Sequence, residues 1–381
     1  MTGAEIDESI IHIYKGAYDY GTPEYTQGLA GLLNSVGFGP FTCREGDNKG
    51  ATCDPGGSAA QCPGSVCAGR IQSGVACVFY GPKDYGFDIT GTGSNNAPSV
   101  GGSQQPYSEQ DFPDGVFGLY PVKGTMVWNS HAFNTTDQPT TNEQYFNVYF
   151  DKDPADRQDI FRAIFDSRYI FVQDVPAFEK REYCATFTLP KGARLSGLSS
   201  HTHKRGLLFR IWAPPNTPCT PCTAGGRCRN PNPACVAETR TPTAVTTTYN
   251  DPVAYTFDPP MPLDADDVAS RTIKYCSVYD NGHTDPTAVK RQSTSPVPPI
   301  AQAPGGPCTN ATVTCLNEGP NKGKPCNGDN HVCDSPGQSD GVCDACPLEG
   351  GVTTEDEMYI LLGDWYCPGS LDKAPTVCPG H

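Results

Sequence analysis

The chain has 381 residues, with 27 Lys+Arg against 42 Asp+Glu and a formal charge of −15. That length supports one large or two ordinary domains with real cores. The acidic balance argues against nucleic acid, which needs a basic face, and no apolar run approaches the roughly 18 residues of a transmembrane segment.

Glycine (41) and proline (37) are abundant, and few windows repeat apolar residues at helical period, so a loop-rich, all-β protein is expected. In chain order, strands are predicted at Ile10–Tyr14, Thr125–Phe133, Tyr145–Phe150, Tyr169–Val172, Tyr183–Leu189, Arg194–His203, Leu207–Trp212, Ala254–Phe257, Thr272–Tyr279 and Met358–Leu362. These segments are β-branched or aromatic-rich and bounded by turn formers. One short helix is predicted over Ala155–Phe165, where Ile160, Phe161, Ile164 and Phe165 recur at i, i+1, i+4 and i+5. The pattern implies two jelly-roll-like antiparallel β-sandwich domains. They cover 1–180 and 181–381, with the cut near Phe178–Glu182, where a polar stretch leads into a strand.

Nineteen cysteines lie mostly in polar, Gly/Pro/Asn-rich sequence in three inserts, at about 43–77, 214–240 and 300–350. The first and third are related. Gly46-Asp47-Asn48-Lys49-Gly50-Ala51-Thr52-Cys53 and Gly319-Pro320-Asn321-Lys322-Gly323-Lys324-Pro325-Cys326 share G-x-N-K-G-x-x-C, a Thr-Cys pair precedes each, and Val66-Cys67 and Val342-Cys343 close them. This is an internal repeat of a small stapled module. Zinc is the rival reading, from Cys219-x-x-Cys222 and Cys343-x-x-Cys346, but a ribbon needs a second tight pair, and Cys228 and Cys235 are too far apart. Disulfides of this density belong outside the cytosol, which implies a secreted, periplasmic or cell-surface protein. Met1–Tyr20 has neither a basic start nor a long apolar stretch, so a signal was removed or the sequence starts late. An odd cysteine leaves one thiol free, intermolecular or otherwise bound.

Of seven histidines, two fall in His201-Thr202-His203 at the end of a strand-like run. On a strand, i and i+2 project from one face, so two imidazoles converge. Lys204 and Arg205 follow at once, and are tolerable beside a metal only if they point away. Met358, one of four methionines, lies in Glu355-Asp356-Glu357-Met358-Tyr359-Ile360. By itself it reads as a core thioether. With the two imidazoles it makes a ligand set suited to copper cycling between Cu(I) and Cu(II).

The run from Tyr183-Cys184 through His201-Thr202-His203-Lys204-Arg205-Gly206, then Tyr275-Cys276-Ser277-Val278-Tyr279-Asp280-Asn281, then Asp356-Glu357-Met358 resembles the C-terminal domain of the copper type II, ascorbate-dependent monooxygenases, the peptidylglycine α-hydroxylating and dopamine β-monooxygenase family. The resemblance covers about 180–367, broken by two inserts. It implies a β-sandwich, copper at His201, His203 and Met358, and ascorbate as reductant. The N-terminal half matches through Phe112-Pro113-Asp114-Gly115-Val116 and Met126–Asn134, which includes His131. The resemblance assigns His131 to a second, electron-transfer copper. The family's adjacent His-His pair has no counterpart here, and the strand that would hold it carries only His12. The second site is therefore lost, rebuilt or completed by sequence before Met1.

His283 and His331 lie in turn-rich sequence and read as exposed. Gly337-Gln338-Ser339-Asp340-Gly341 lacks the strand and helix of a nucleophile elbow. Asn134-Thr135-Thr136 and Asn310-Ala311-Thr312 are glycosylation sequons, and Asp264–Asp267 reads as a solvated loop, calcium being the alternative. The expectation is an exported copper monooxygenase-like protein oxidising a C–H bond of a small-molecule or peptide substrate with O2. The alternative is a secreted structural or assembly-forming protein, or a single-copper binding protein, that keeps the double sandwich as scaffold and pairs as a homo-oligomer or extracellular assembly.

Overall fold

The computed structural model describes residues 4–15, 42–43, 46–53, 58–65, 67–68, 99–103, 107, 109, 111–118, 124–134, 145–150, 159–166, 168–219, 234–291, 313–351, 356–369 and 378. Its strands are β1 (Ala4–Lys15), β2 (Thr42–Cys43), β3 (Cys67–Ala68), β4 (Ser99–Ser103), β5 (Val116–Phe117), β6 (Gly124–Asn134), β7 (Asp159–Asp166), β8 (Asp174–Val175), β9 (Lys180–Thr188), β10 (Ala193–His201), β11 (Gly206–Trp212), β12 (Ala244–Thr246), β13 (Tyr255–Leu263), β14 (Thr272–Asp280), β15 (Thr314–Cys315), β16 (Cys343–Ala345), β17 (Leu348–Glu349) and β18 (Ile360–Tyr366). Helix among the described residues is limited to single turns, such as Ser58–Gln61. The protein is all-β, and no helix of the described residues is long and apolar enough to cross a membrane.

Two compact units form, one from 1–88, 92–110 and 118–147, the other from 89–91, 111–117 and 148–381. The division thus falls ahead of Phe178–Glu182, because β7 pairs along β18, with Phe165 opposite Leu362 and Phe161 opposite Tyr366. Of the helix expected over Ala155–Phe165, residues 155–158 lie outside the described residues and the rest, from Asp159, is this strand. Its apolar residues serve both sheet faces, and pairing with β18 on one side and β5 on the other overrides a spacing that also fits a helix. Tyr169–Val172 forms a turn, and Tyr145–Phe150 lies outside any strand with Tyr145, Tyr149 and Phe150 exposed.

In the first unit, β4-β1-β6 make an antiparallel sheet in which Glu8 faces His131 and His12 faces Val127. The described residues of the first unit hold this sheet and the β2–β3 pair. In the second unit a five-stranded sheet, β13-β10-β18-β7-β5, and a four-stranded sheet, β12-β11-β14-β9, share one core that includes Leu195, Leu198 and Leu361 from the first and Tyr183, Phe209, Ile211 and Tyr275 from the second. Two sheets closing over one apolar layer make a β-sandwich.

The core is rich in tyrosine, and a buried hydroxyl needs a partner. Tyr275 donates to Asp166 Oδ2 at 2.7 Å, Tyr359 to the Tyr275 carbonyl at 2.7 Å and Tyr279 to the Met358 carbonyl at 2.7 Å. Burial pushes all three phenols well above their ordinary range, so they remain donors. Asp166 is fully buried and held by a two-pronged Arg168 contact of 2.7 and 2.6 Å.

The cysteine repeat is a structural repeat as well. Cys43–Cys62 and Cys53–Cys67 pair first with third and second with fourth, as do Cys315–Cys333 and Cys326–Cys343. β2 pairs β3 with Cys43 opposite Cys67, and β15 pairs β16 with Cys315 opposite Cys343. The N-K-G turns close alike: Gly50 N donates to the Cys43 carbonyl at 2.9 Å and Gly323 N to the Cys315 carbonyl at 3.0 Å. Cys184–Cys276, Cys219–Cys235 and Cys367–Cys378 are further disulfides, and Cys346 is disulfide-bonded too. At these positions the disulfide reading holds over zinc. Cys77, Cys222, Cys228, Cys308 and the sequon residue Asn310 lie outside the described residues.

Candidate metal centre

A register shift in β10 decides which face the histidines take. Pairing with β18 slips between Leu195 and Gly197, so Ala193 and Leu195 face the core before the slip and Leu198 after it. His201 is an odd step from Leu198 and therefore lies on the opposite face of the sheet. It stands across from Ile360, not from the core residue Leu361. Beyond the paired residues, His203 is hydrogen-bonded to Asp356 and Glu357, the two residues directly before Met358. His201, His203 and Met358 are buried to 1%, 0% and 3% exposure, and the two imidazole centroids are 5.2 Å apart, close enough to share one ion.

The turn after His203 is tightly specified. Gly206 N donates to the His203 carbonyl at 3.0 Å. A Cβ on Gly206 would lie 2.7 Å from Thr202 Cβ, so the turn requires glycine. Lys204 is exposed, while Arg205 is buried and its Nε donates to the Ala288 carbonyl at 3.1 Å.

Across the register, Glu357 is completely buried and accepts the His203 N–H at Oε2 (2.9 Å) and the Arg205 N–H at Oε1 (2.6 Å). Burial pushes this carboxyl up to about 8 while the two N–H groups oppose it. Both oxygens are used as acceptors. His203 Nδ1 lies 3.0 Å from the Asp356 carbonyl. A carbonyl only accepts, so Nδ1 carries the proton and Nε2 is the nitrogen that could hold a metal. Nε2 of both histidines is shielded from solvent.

Asp356 forms a buried ion pair with Lys290 at 2.5 Å. Lys290 N donates to Asn281 Oδ1 at 2.8 Å, and Asn281 Nδ2 donates to the Val175 and Cys346 carbonyls at 3.1 and 2.8 Å. A Cβ on Gly351 would come within 2.6 Å of Asp356 Oδ2, so this segment too needs glycine. Both neighbouring carboxylates are thus committed to backbone N–H groups or lysine. The side chains that could hold a metal here are the two imidazoles and the Met358 thioether, a donor set that fits copper.

The remaining predicted residues lie elsewhere. His131 is on β6 of the first unit and His12 on β1. His283 is exposed, its N–H donating to Asp280 at 2.7 Å. His331 is exposed beside Asp334, which raises its pKa. Ser339 is exposed in a loop of the third module. In the acidic loop, Asp264 meets Arg194 at 2.7 Å, Asp266 meets Lys191 at 2.6 Å and Asp267 caps Ser270 N at 2.8 Å. These partners fit the solvated-loop reading. Sequence reasoning named no role for Glu357, Asn281 or Tyr279, although all three stand in the runs that carry the resemblance, and it did not single out Lys290. No protein-family model matches the chain, and no curated protein matches it.

Proposed function

We propose that the chain is an exported, copper-dependent monooxygenase-like protein that hydroxylates a C–H bond of a small-molecule or peptide substrate with O2 at His201, His203 and Met358. The observation that carries this reading is that all three side chains are buried, the two imidazoles lie 5.2 Å apart, and His203 is hydrogen-bonded to the two residues directly before Met358. Bound copper supplies one-electron redox chemistry and oxygen activation. The chain's own residues set the conditions. The Asp356 carbonyl fixes the His203 tautomer, Tyr279 holds the Met358 carbonyl, and burial keeps bulk water from the ligating atoms. Overall, R–H, O2, two electrons and two protons give R–OH and water, with ascorbate as the electron donor. His131 is assigned to a remodelled electron-transfer site.

Export is supported by the disulfides. A second reading, a single-copper binding protein or scaffold, is favoured by the lack of an adjacent His-His pair in the sequence. Ascorbate-driven oxygen uptake by copper-loaded, dialysed protein separates the two. Uptake that falls at least about tenfold in both His201→Ala and Met358→Leu is expected for the monooxygenase, in line with the cost of losing a ligand contact. Copper binding without uptake supports the second reading, and full uptake by Met358→Leu removes the thioether from the site.

A further inference from the structure

We infer that Glu357 is a positioning residue, whose carboxylate holds the His203–Arg205 turn and thereby aims the His203 imidazole; for copper, this rests on the reading above. A single buried side chain receives two backbone N–H bonds from residues 154 and 152 positions away, at 2.9 and 2.6 Å. Both acceptor atoms are used, so the one side chain ties down two backbone donors of the turn. The Glu357 backbone is itself fixed, its N–H donating to the Glu349 carbonyl at 3.1 Å and its carbonyl accepting from Gly351 N at 3.0 Å. The next residue upstream, Asp356, supplies the carbonyl that takes His203 Nδ1. His203 is therefore gripped at its main chain by Glu357 and at its ring by Asp356, both from the segment that leads into Met358. One segment carries Met358 and sets the orientation of the His203 imidazole.

The chemistry of the grip makes Glu357→Gln informative. Both oxygens face donors, and the amide would replace one acceptor with an NH2 directed at a backbone N–H. Size is conserved and hydrogen-bond polarity is reversed at one of two positions.

The test uses the full chain in two arms. In the metal-free protein, nitrogen NMR of the imidazoles reads the His203 tautomer. Wild type is expected to show Nδ1–H with an unprotonated Nε2, and Glu357→Gln a mixture of tautomers. With Cu(I) added, Glu357→Gln is expected to bind about 10–100-fold more weakly, and its Cu(II) form to show an altered electron-paramagnetic-resonance signature. An unchanged His203 tautomer in metal-free Glu357→Gln overturns the inference whether or not copper binds. Absence of Cu(I) binding in wild type overturns the copper reading and leaves the tautomer arm to decide the positioning role. Should Glu357→Gln not fold, amide exchange in wild type decides. Strong protection of His203 and Arg205 N–H supports the grip, and exchange at the rate of exposed loop amides refutes it.

Discussion

Around His203 and Met358 the chain is held by buried polar groups set beside a large apolar core: the Lys290–Asp356 pair, the Glu357 contacts to two backbone N–H groups and the Tyr279 hydroxyl on the Met358 carbonyl. The third cysteine-rich module of the same unit is held differently. Its buried cluster consists of Val313 and the cysteines Cys315, Cys326, Cys333 and Cys346. Where a strand pair can pack on a second sheet, apolar burial organises it and polar groups supply precision. A loop with so little apolar surface needs covalent closure. Disturbing the first region should therefore destabilise the sandwich, and disturbing the second should loosen the module locally.

The largest effect is expected from Lys290→Ala, which leaves the Asp356 carboxylate buried without its cation. The loss is about 3–5 kcal/mol, read from denaturant unfolding. A loss well below this would show that water reaches the pair and that the two regions differ less than the burial suggests. Removing Cys315–Cys333 with a double alanine substitution is expected to cost about 2–4 kcal/mol within the module. Hydrogen exchange should accelerate over 313–346 while β10 and β14 keep their protection. Matching loss in β10 would mean that module and sandwich unfold together.

How much of this was legible in the sequence differs between the same two regions. The module was plain from its repeat, because cysteine spacing and turn glycines are local features. The pairing of first with third and second with fourth cysteine was not, since it depends on how the loops close in space. At the candidate metal site, alternation along a strand placed His201 and His203 together. The slip between Leu195 and Gly197, which turns them away from the core, has no reliable sequence mark beyond the glycine. Glu357 was missed because its partners are main-chain groups about 150 residues distant, a relation no local pattern encodes. For the same reason the strand at Asp159–Asp166 was read as a helix: its partners β18 and β5 are set by the fold.

A smaller effect is expected from Tyr279→Phe, which leaves the Met358 carbonyl without its phenol donor and costs about 1–2 kcal/mol. No change would mean that water replaces the hydroxyl. The smallest is a pH effect. Burial pushes the Asp364 carboxyl on β18 up to about 7, whereas an unfolded aspartate titrates near about 4. Between those values the folded state holds more protons, so this group's contribution to stability falls as pH rises from about 4 to 7 and levels off above. Asp364→Asn should flatten that slope and gain on wild type at alkaline pH. A parallel pH profile for the two proteins would show Asp364 to be solvated.

The most direct test of the central claim is copper content per chain, measured on protein from its source without added metal and compared with His201→Ala. The expected result is at least one copper in the wild type, lost from the variant while the fold is retained; a second copper would place a further site in the chain. No copper in wild type, or equal copper in His201→Ala, contradicts a copper centre at His201, His203 and Met358.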